Sequence, residues 1–265
     1  MTSVHLEGPD VIRFLKRLCV NNFDNFEIGR GKQIVMCKPD GYLIGDGPLL
    51  RLDEREFYGA GIHGTKWLQF NLERGEYDLS VDIEPPTPLL SEDKAPEKFV
   101  YQIQGPTTAD VLEELTADAF RDIEFFGFSK ITLAGRDVIA FGHGMSPEAG
   151  YELIGPYEYA DEIREAIVKA GQRHGLRRLG RKTYVAQSTK VGWVPPWPKP
   201  VYESEEMEAY RNWVTPQREQ TVGKAYWTDT ETLETSFSIE GSFDTDDITE
   251  YYLDPVEVGY GKLID

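Results

Sequence analysis

Two stretches of the chain carry one pattern. VHLEGPDVIRFLKRL near the start and YQIQGPTTADVLEEL at residues 101 to 115 both pass from an alternating segment through Gly-Pro into an apolar run of helical spacing. Gly8-Pro9 stands where Gly105-Pro106 stands, and leucines recur seven and ten residues after each glycine. The grammar is physical: a strand ends, glycine makes the turn and caps the helix, and proline takes the first helical position, where its missing N–H costs nothing. Val11, Leu15 and Leu18 then share one helical face, as do Val111, Leu112 and Leu115. A strand-turn-helix unit met twice predicts two related halves packed on each other. The competing reading is chance recurrence of a common turn.

The rest of the chain fits around these units. KQIVMCKPDGYLIGDGPLLRLDEREFYGAG reads as short strands punctuated by turns at Asp40-Gly41 and Asp46-Gly47. TKWLQFNLERG reads as a short helix ended by Gly75, and YDLSVDIE alternates as a strand. The proline-rich, charged EPPTPLLSEDKAPEK reads as a surface connection between the halves. In the second half, FFGFSKITLAGRDVIAFGHG reads as two strands turning at Ala134-Gly135, and AGYELIGP as a further strand. PYEYADEIREAIVKAGQRHG is the clearest helix, with Ile163, Ile167 and Ala170 on one face and a glycine stop at Gly171 or Gly175. From Gly192 the texture becomes proline-rich, aromatic and acidic, as an elaborated arm.

Charge bounds the partners. With 46 acidic and 28 basic residues the net charge is -18, the opposite of the basic footprint that phosphate backbones require, so no nucleic-acid partner is expected. An acidic surplus spread along the whole chain is also how a protein stays soluble in high salt, which points to a halophilic cytoplasm. The start, MTSVHLEGPD, has no charged-then-apolar leader pattern, and no run is long enough to span a bilayer, so a cytoplasmic chain with no membrane partner is expected. Cys19 and Cys37 are the only cysteines; they form no metal-binding motif and leave room for a single bridge between them.

One motif invites a different reading. FYGAGIHG fits G-x-G-x-x-G at Gly59, Gly61 and Gly64, with Asp82 about twenty residues on, the arrangement of a dinucleotide-binding turn. Against it, the following helix is short and the strand-helix alternation stops, so glycines in a strand-to-helix turn are the better reading. His5, His63, His143 and His174 are scattered without metal-ligand spacing, and each reads as structural.

The paired Gly-Pro helices, DGYLIGDG, GYELIGPYEYADEIREAIVKAGQRHGL and QSTKVGW together resemble the tetrahydrofolate-dependent aminomethyltransferase (glycine-cleavage T-protein) family. YQIQGP, FGHGMSPEAGYELIGP, GWVPPWPKPVYESEEMEAYRNWV and FDTDDITEYYLDPVEVGYG look most like its vanillate and syringate O-demethylase branch. The resemblance implies an α+β folate-binding fold of two related halves with the pteridine between them. It places a folate-binding core at residues 1-195, with halves at about 1-90 and 98-195. The aromatic and acidic arm with a final strand then occupies 196-265. The implied chemistry moves a methyl group from a small-molecule methyl donor, an aryl methyl ether, to N5 of tetrahydrofolate. The alternatives are aminomethyl transfer of the glycine-cleavage type and folate binding without catalysis.

The resemblance also names residues. Glu152 matches the family's folate-binding acid, and a fixed carboxylate suits the adjacent N–H donors of a pterin edge. Gln102 matches a second polar contact, and Trp193 offers a flat apolar face to the cofactor rings. Tyr184 matches the branch's reactive-site tyrosine, a phenol suited to hydrogen-bond a departing phenoxide, and Asp46 matches a buried acid near the transferred carbon. Read without the family, Glu152 is a solvated strand-end acid, Trp193 a core aromatic and Asp46 a turn residue before Gly47.

The departures are specific. Gly61 replaces the arginine that would hold a benzoate carboxylate, and Ser188 and Lys190 replace the arginine and glutamate of aminomethyltransferases. The family's GYTGE loop is GMSPE, which keeps Glu148. Set against the family, the chain starts within the first strand and stops before the C-terminal β-barrel, so the expected fold lacks that barrel: either a second polypeptide supplies it, or the chain is a fragment or a degenerate gene.

Overall fold

Each Gly-Pro is a corner, and the helix starts after it. In the computed structural model, which describes residues 2–39, 41, 43–84, 95–116, 123–145, 148–179 and 205–213, strand β1 (Ser3–Glu7) ends at Gly8 with φ 144° and strand β6 (Lys98–Gln104) at Gly105 with φ 137°. Helices α1 (Val11–Leu18) and α3 (Thr108–Glu113) begin two residues past the prolines, capped by Asp10 and Thr107 rather than by glycine. Glycine is needed at both corners for its positive φ.

The remaining elements are β2 (Gly31–Cys37), β3 (Leu43–Arg51), β4 (Glu56–Ala60), α2 (Thr65–Leu72) and β5 (Ser80–Glu84) in the first half. The second holds β7 (Phe128–Leu133), β8 (Arg136–Phe141), β9 (Gly150–Pro156) and α4 (Ala160–Gly171). The strand orders are β2-β3-β4-β1-β5 and β6-β9-β8-β7. Read from the Gly-Pro strands, β1-β4-β3-β2 repeats as β6-β9-β8-β7, with β5 added on the outer side of β1. The repeated unit in the sequence is a repeated fold, α+β in each half.

The halves join about a local two-fold axis. Arg30 and Gly127, at matching points just before β2 and β7, face each other in an isolated antiparallel bridge. The amide of Gly31 donates to the Phe126 carbonyl (2.7 Å), and the amide of Phe128 donates to the Gly29 carbonyl (3.1 Å). Leu50, Tyr58 and Ala60 of the first half meet Phe141 and Ile154 of the second in one buried cluster. Gly31 has no room for a side chain, since a Cβ there would lie 2.6 Å from the Phe141 ring. Each half keeps its own core on the other face of its sheet, beneath its helices: Phe14, Leu15 and Leu68 in the first, Leu112, Ile163 and Ile167 in the second. Alternation along the strands therefore gives every sheet one face toward its helices and one toward the join.

Other expectations resolve against this frame. The turn at Gly41 closes the β2–β3 hairpin, its amide bonded to the Lys38 carbonyl, and Ala134 and Gly135 (φ 50° and 82°) make the tight β7–β8 turn. Asp46-Gly47 makes no turn: Asp46 pairs with Val35 and Gly47 with Ile34 in the interior of the β2–β3 ladder. Gly47 serves instead to admit the backbone of Ile62, whose Cα would lie 2.7 Å from a Cβ at that position. Gly175 (φ 71°) ends the final turn after α4, while Gly171 is still helical. The connection at residues 85–94 lies outside the described residues.

The dinucleotide reading fails on topology. β4 runs antiparallel to both β1 and β3, and β5 antiparallel to β1, whereas the pyrophosphate turn belongs to a parallel sheet. Gly61 and Gly64 have φ 78° and 73°, and their loop packs against Gly45 and Gly47 of β3, where side chains would collide with it. These glycines permit a close backbone approach and leave no cradle for a phosphate.

Of the aromatic arm, residues 205–213 are described, and a short helix, Glu208–Trp213, lies against α2. Tyr210 sits edge-on to Trp67 and Phe70, and the indole of Trp213 donates to Glu73 (2.6 Å). For Tyr210 and Trp213 the aromatic character serves a buried interface. Cys19 and Cys37 are not joined by a disulfide, and burial, with the neighbouring Cys37 adding to it, pushes the Cys19 thiol up. No helix among the described residues is long and apolar enough to cross a membrane.

The two corners offer a matched test. Alanine at Gly105 meets nothing nearer than the Thr108 hydroxyl at 4.0 Å, so its cost is backbone strain alone, about 1–2 kcal/mol. At Gly8 the same Cβ would lie 2.6 Å from the Leu79 Cα, so Gly8→Ala adds a collision between backbones. Urea unfolding should rank Gly8→Ala clearly below Gly105→Ala; equal losses would mean that the corner at residue 8 relaxes freely.

Candidate functional site

Alternation decides which side chains line the join. On β9, Glu152 shares a face with Ile154, and on β3, Asp46 shares a face with Leu50; Ile154 and Leu50 meet in the cluster between the halves. Both candidate acids therefore lie on the inner faces of their sheets. Both are buried, Asp46 at 1% and Glu152 at 6% exposure, so neither is a solvated or turn acid.

Glu152 is held from three directions. It stands opposite Gln102 on β6 and opposite Phe141 on β8. His143, just beyond β8, brings Nδ1 to 3.0 Å from Glu152 Oε1. The imidazole is itself buried, stacked on Phe141 (5.2 Å between centroids, 14° between planes) and edge-on to Phe126 (5.3 Å). A buried carboxylate can only accept, so the His143 nitrogen facing it carries the proton.

Gln102 belongs to a small amide relay. Its Nε2 donates to Gln104 Oε1 (3.1 Å), which also accepts from the Met145 amide (3.1 Å), while Gln104 Nε2 donates to the Glu148 carbonyl (2.8 Å). Gln104 thereby ties Met145 and Glu148 to β6. Gly144 and Gly150 leave room for its side chain.

Asp46 has a comparable setting in the first half. Gln33 Nε2 donates to Asp46 Oδ2 (2.8 Å), His63 Nδ1 lies 3.5 Å from Oδ1, and the His63 amide donates to the Asp46 carbonyl (2.8 Å). Each candidate acid thus faces one of the histidines that read as scattered in the sequence. Tyr58, a residue the sequence did not single out, faces the same join: burial pushes its phenol up to about 12, with the charges of Glu84, Glu152 and Glu97 adding to the effect and a hydrogen bond from Ser3 opposing it. The phenol stays protonated at working pH.

The structure brings Glu152 and Gln102 together as cross-strand partners and sets Asp46 in the other sheet. Tyr184 and Trp193, like Ser188 and Lys190, lie outside the described residues. Among the described residues no cluster of three or more His, Cys, Asp or Glu side chains has a metal-holding arrangement. What the join offers is two buried carboxylates, amide groups and a protonated phenol among aromatic walls, the donor set for a flat heterocycle with N–H groups on its edge. The pterin of a folate has that edge, and Glu152 with Gln102 fits it.

Comparison with known proteins agrees with the architecture. Residues 1–189 match the GCVT N-terminal domain. A syringate O-demethylase from a Sphingobium species is 32% identical over 266 residues, covering 100% of this chain and 54% of that protein. A sesamin methylene transferase from a Sinomonas species is 31% identical over 206 residues, covering 77% of this chain and 43% of that protein. The chain spans about half the length of these curated relatives. Among solved structures, the glycine cleavage system aminomethyltransferase T from Bartonella henselae superposes with a TM-score of 0.59 at 17% identity, over 89% of this chain and 60% of that one, a likeness of fold.

Proposed function

Because the chain belongs to the GCVT N-terminal domain family, we propose that it binds tetrahydrofolate at the join of its halves and serves methyl transfer of the O-demethylase kind, from an aryl methyl ether to N5. The observation that carries the reading is the buried Glu152 carboxylate on the inner face of β9, opposite Gln102. Aminomethyl transfer is disfavoured by Ser188 and Lys190, which stand where that chemistry has an arginine and a glutamate.

Tetrahydrofolate, when bound, supplies N5 as the nucleophile that takes the methyl group. Glu152 and Gln102 would hold the pterin edge, and Trp193, outside the described residues, is the aromatic that the resemblance gives to its rings. Asp46 places a negative charge on the inner face, where the methyl carbon gains positive character as its bond to oxygen lengthens. Tyr184, by its resemblance to the branch's reactive-site tyrosine, would donate a hydrogen bond to the departing phenoxide oxygen, which leaves as the phenol. Gly61, at φ 78°, has a backbone conformation that favours glycine over an arginine, so a neutral aryl ether suits the site better than a benzoate.

Calorimetric titration with tetrahydrofolate in reducing, high-salt buffer tests the cofactor, with NAD and FAD as controls. Saturable binding of folate alone is expected, followed by methyltetrahydrofolate formation from an isotopically labelled aryl methyl ether. A folded protein that ignores folate would overturn the reading, and binding without turnover would reduce it to a folate-binding protein.

We further assign the chain to a salt-rich cytoplasm on its net charge of -18. Repulsion among unscreened carboxylates weakens the compact state at low ionic strength. The melting temperature should rise by several degrees between about 0.1 M and 1 M potassium chloride and beyond; a flat profile would remove the halophilic assignment.

A further inference from the structure

The two-fold repeat supplies an internal control for the buried His143–Glu152 pair. Leu50 pairs with Tyr58 between β3 and β4 as Phe141 pairs with Glu152 between β8 and β9, so Tyr58 occupies the place of Glu152 in the first half. Two residues past Leu50 stands Leu52, as His143 stands two past Phe141. The corresponding scaffold positions are thus filled by Leu52 and Tyr58 in one half, both packed in the cluster at the join, and by a buried hydrogen-bonded histidine–carboxylate pair in the other. Burying a carboxylate costs desolvation that a less polar pair of similar size avoids. The first half shows that the fold does not need the histidine–carboxylate pair.

We propose that His143 is a positioning residue for ligand recognition at Glu152. Its Nδ1–H holds Oε1 at 3.0 Å, and its ring is packed against Phe141 and Phe126, so one carboxylate oxygen is tied to a fixed donor. With Oε1 engaged, Oε2 is the oxygen left to take an N–H donor of a flat heterocycle. Phe126 holds a left-handed backbone (φ 59°) to complete this wall, a conformation uncommon for a bulky side chain and found where a site requires it.

This inference rests on the folate reading, and the experiment separates the two. Tetrahydrofolate affinity is measured by calorimetry for the 265-residue protein and for His143→Leu, His143→Asn and the double variant His143→Leu with Glu152→Tyr, with melting temperatures alongside. His143→Leu should bind about tenfold or more weakly, the loss expected for a hydrogen bond to a charged group. His143→Asn, whose amide nitrogen can occupy the Nδ1 position, should recover most of the affinity. The double variant copies the Leu52 and Tyr58 solution, so it should fold at least as stably as the parent while losing folate binding. Unchanged affinity in His143→Leu, or no recovery in a folded His143→Asn, would overturn the positioning role. A parent protein that binds no folate would overturn the folate reading itself, and loss of folding in the double variant would overturn the claim that the histidine–carboxylate pair is dispensable to the fold.

Discussion

Glu152→Gln should weaken tetrahydrofolate binding about a hundredfold and leave the fold intact. Glutamine has nearly the same shape, so the cross-strand contact with Gln102 and the packing on Phe141 persist. What it loses is charge and one acceptor, and it presents an NH2 group to ligand N–H donors. Hydrogen bonds to a charged group contribute about 1.5–3 kcal/mol each, and about 2.7 kcal/mol corresponds to a factor of a hundred in affinity. The melting temperature should move little, because the amide oxygen still accepts from His143 and no buried charge is left behind. Calorimetry on parent and variant under one buffer decides the matter. Equal affinities would remove Glu152 from the cofactor site, while a large fall in melting temperature would make it a structural group whose loss perturbs the sheet.

The two halves were legible because their signal is local. A glycine at a positive-φ corner followed by proline leaves its mark within a few residues, and the strand order then repeats as the repeat implies. What failed was also local grammar, applied where a ladder overrode it. Asp-Gly is a turn signal, yet Asp46-Gly47 lies in the middle of β3 because the strand pairs along its length with β2 and the missing Cβ serves the approach of Ile62. The helix caps shifted by two residues for a related reason, since each glycine is spent on the corner and the Asp10 or Thr107 backbone begins the helix.

The histidines show a different limit. His143 lies nine residues from Glu152 and His63 seventeen from Asp46, and in each case the meeting is made by strand register and loop path, so no sequence spacing announces it. One signal was available for His143: it follows an alternating strand and precedes another, the placement that brings a hairpin's open end back on itself. Tyr58 was hidden more thoroughly, because its relation to Glu152 exists only in the two-fold register of the folded halves.

Asp46→Asn is the change that separates an enzyme from a binding protein built on the same core. The side chain is 1% exposed and shares the inner face of β3 with Leu50. Asparagine keeps the volume and an oxygen for Gln33 Nε2, now at 2.8 Å, so the half-buried amide of Gln33 keeps its partner and the cost to stability should stay at about 1 kcal/mol. Asp46→Ala would orphan it and cost about 1–3 kcal/mol, which makes alanine the worse probe of function. If the carboxylate stabilises positive character at the methyl carbon, losing its charge in a water-poor site should lower the transfer rate about a hundred- to a thousandfold, in line with single electrostatic groups elsewhere. Folate affinity, set by the other sheet, should change by much less. A split of this kind, with kcat falling while tetrahydrofolate affinity holds, assigns Asp46 to the chemistry. If affinity and stability fall together with no separate loss of rate, the Gln33–Asp46–His63 group is a buried strut, and the inner face of the first half supports a ligand held by the second.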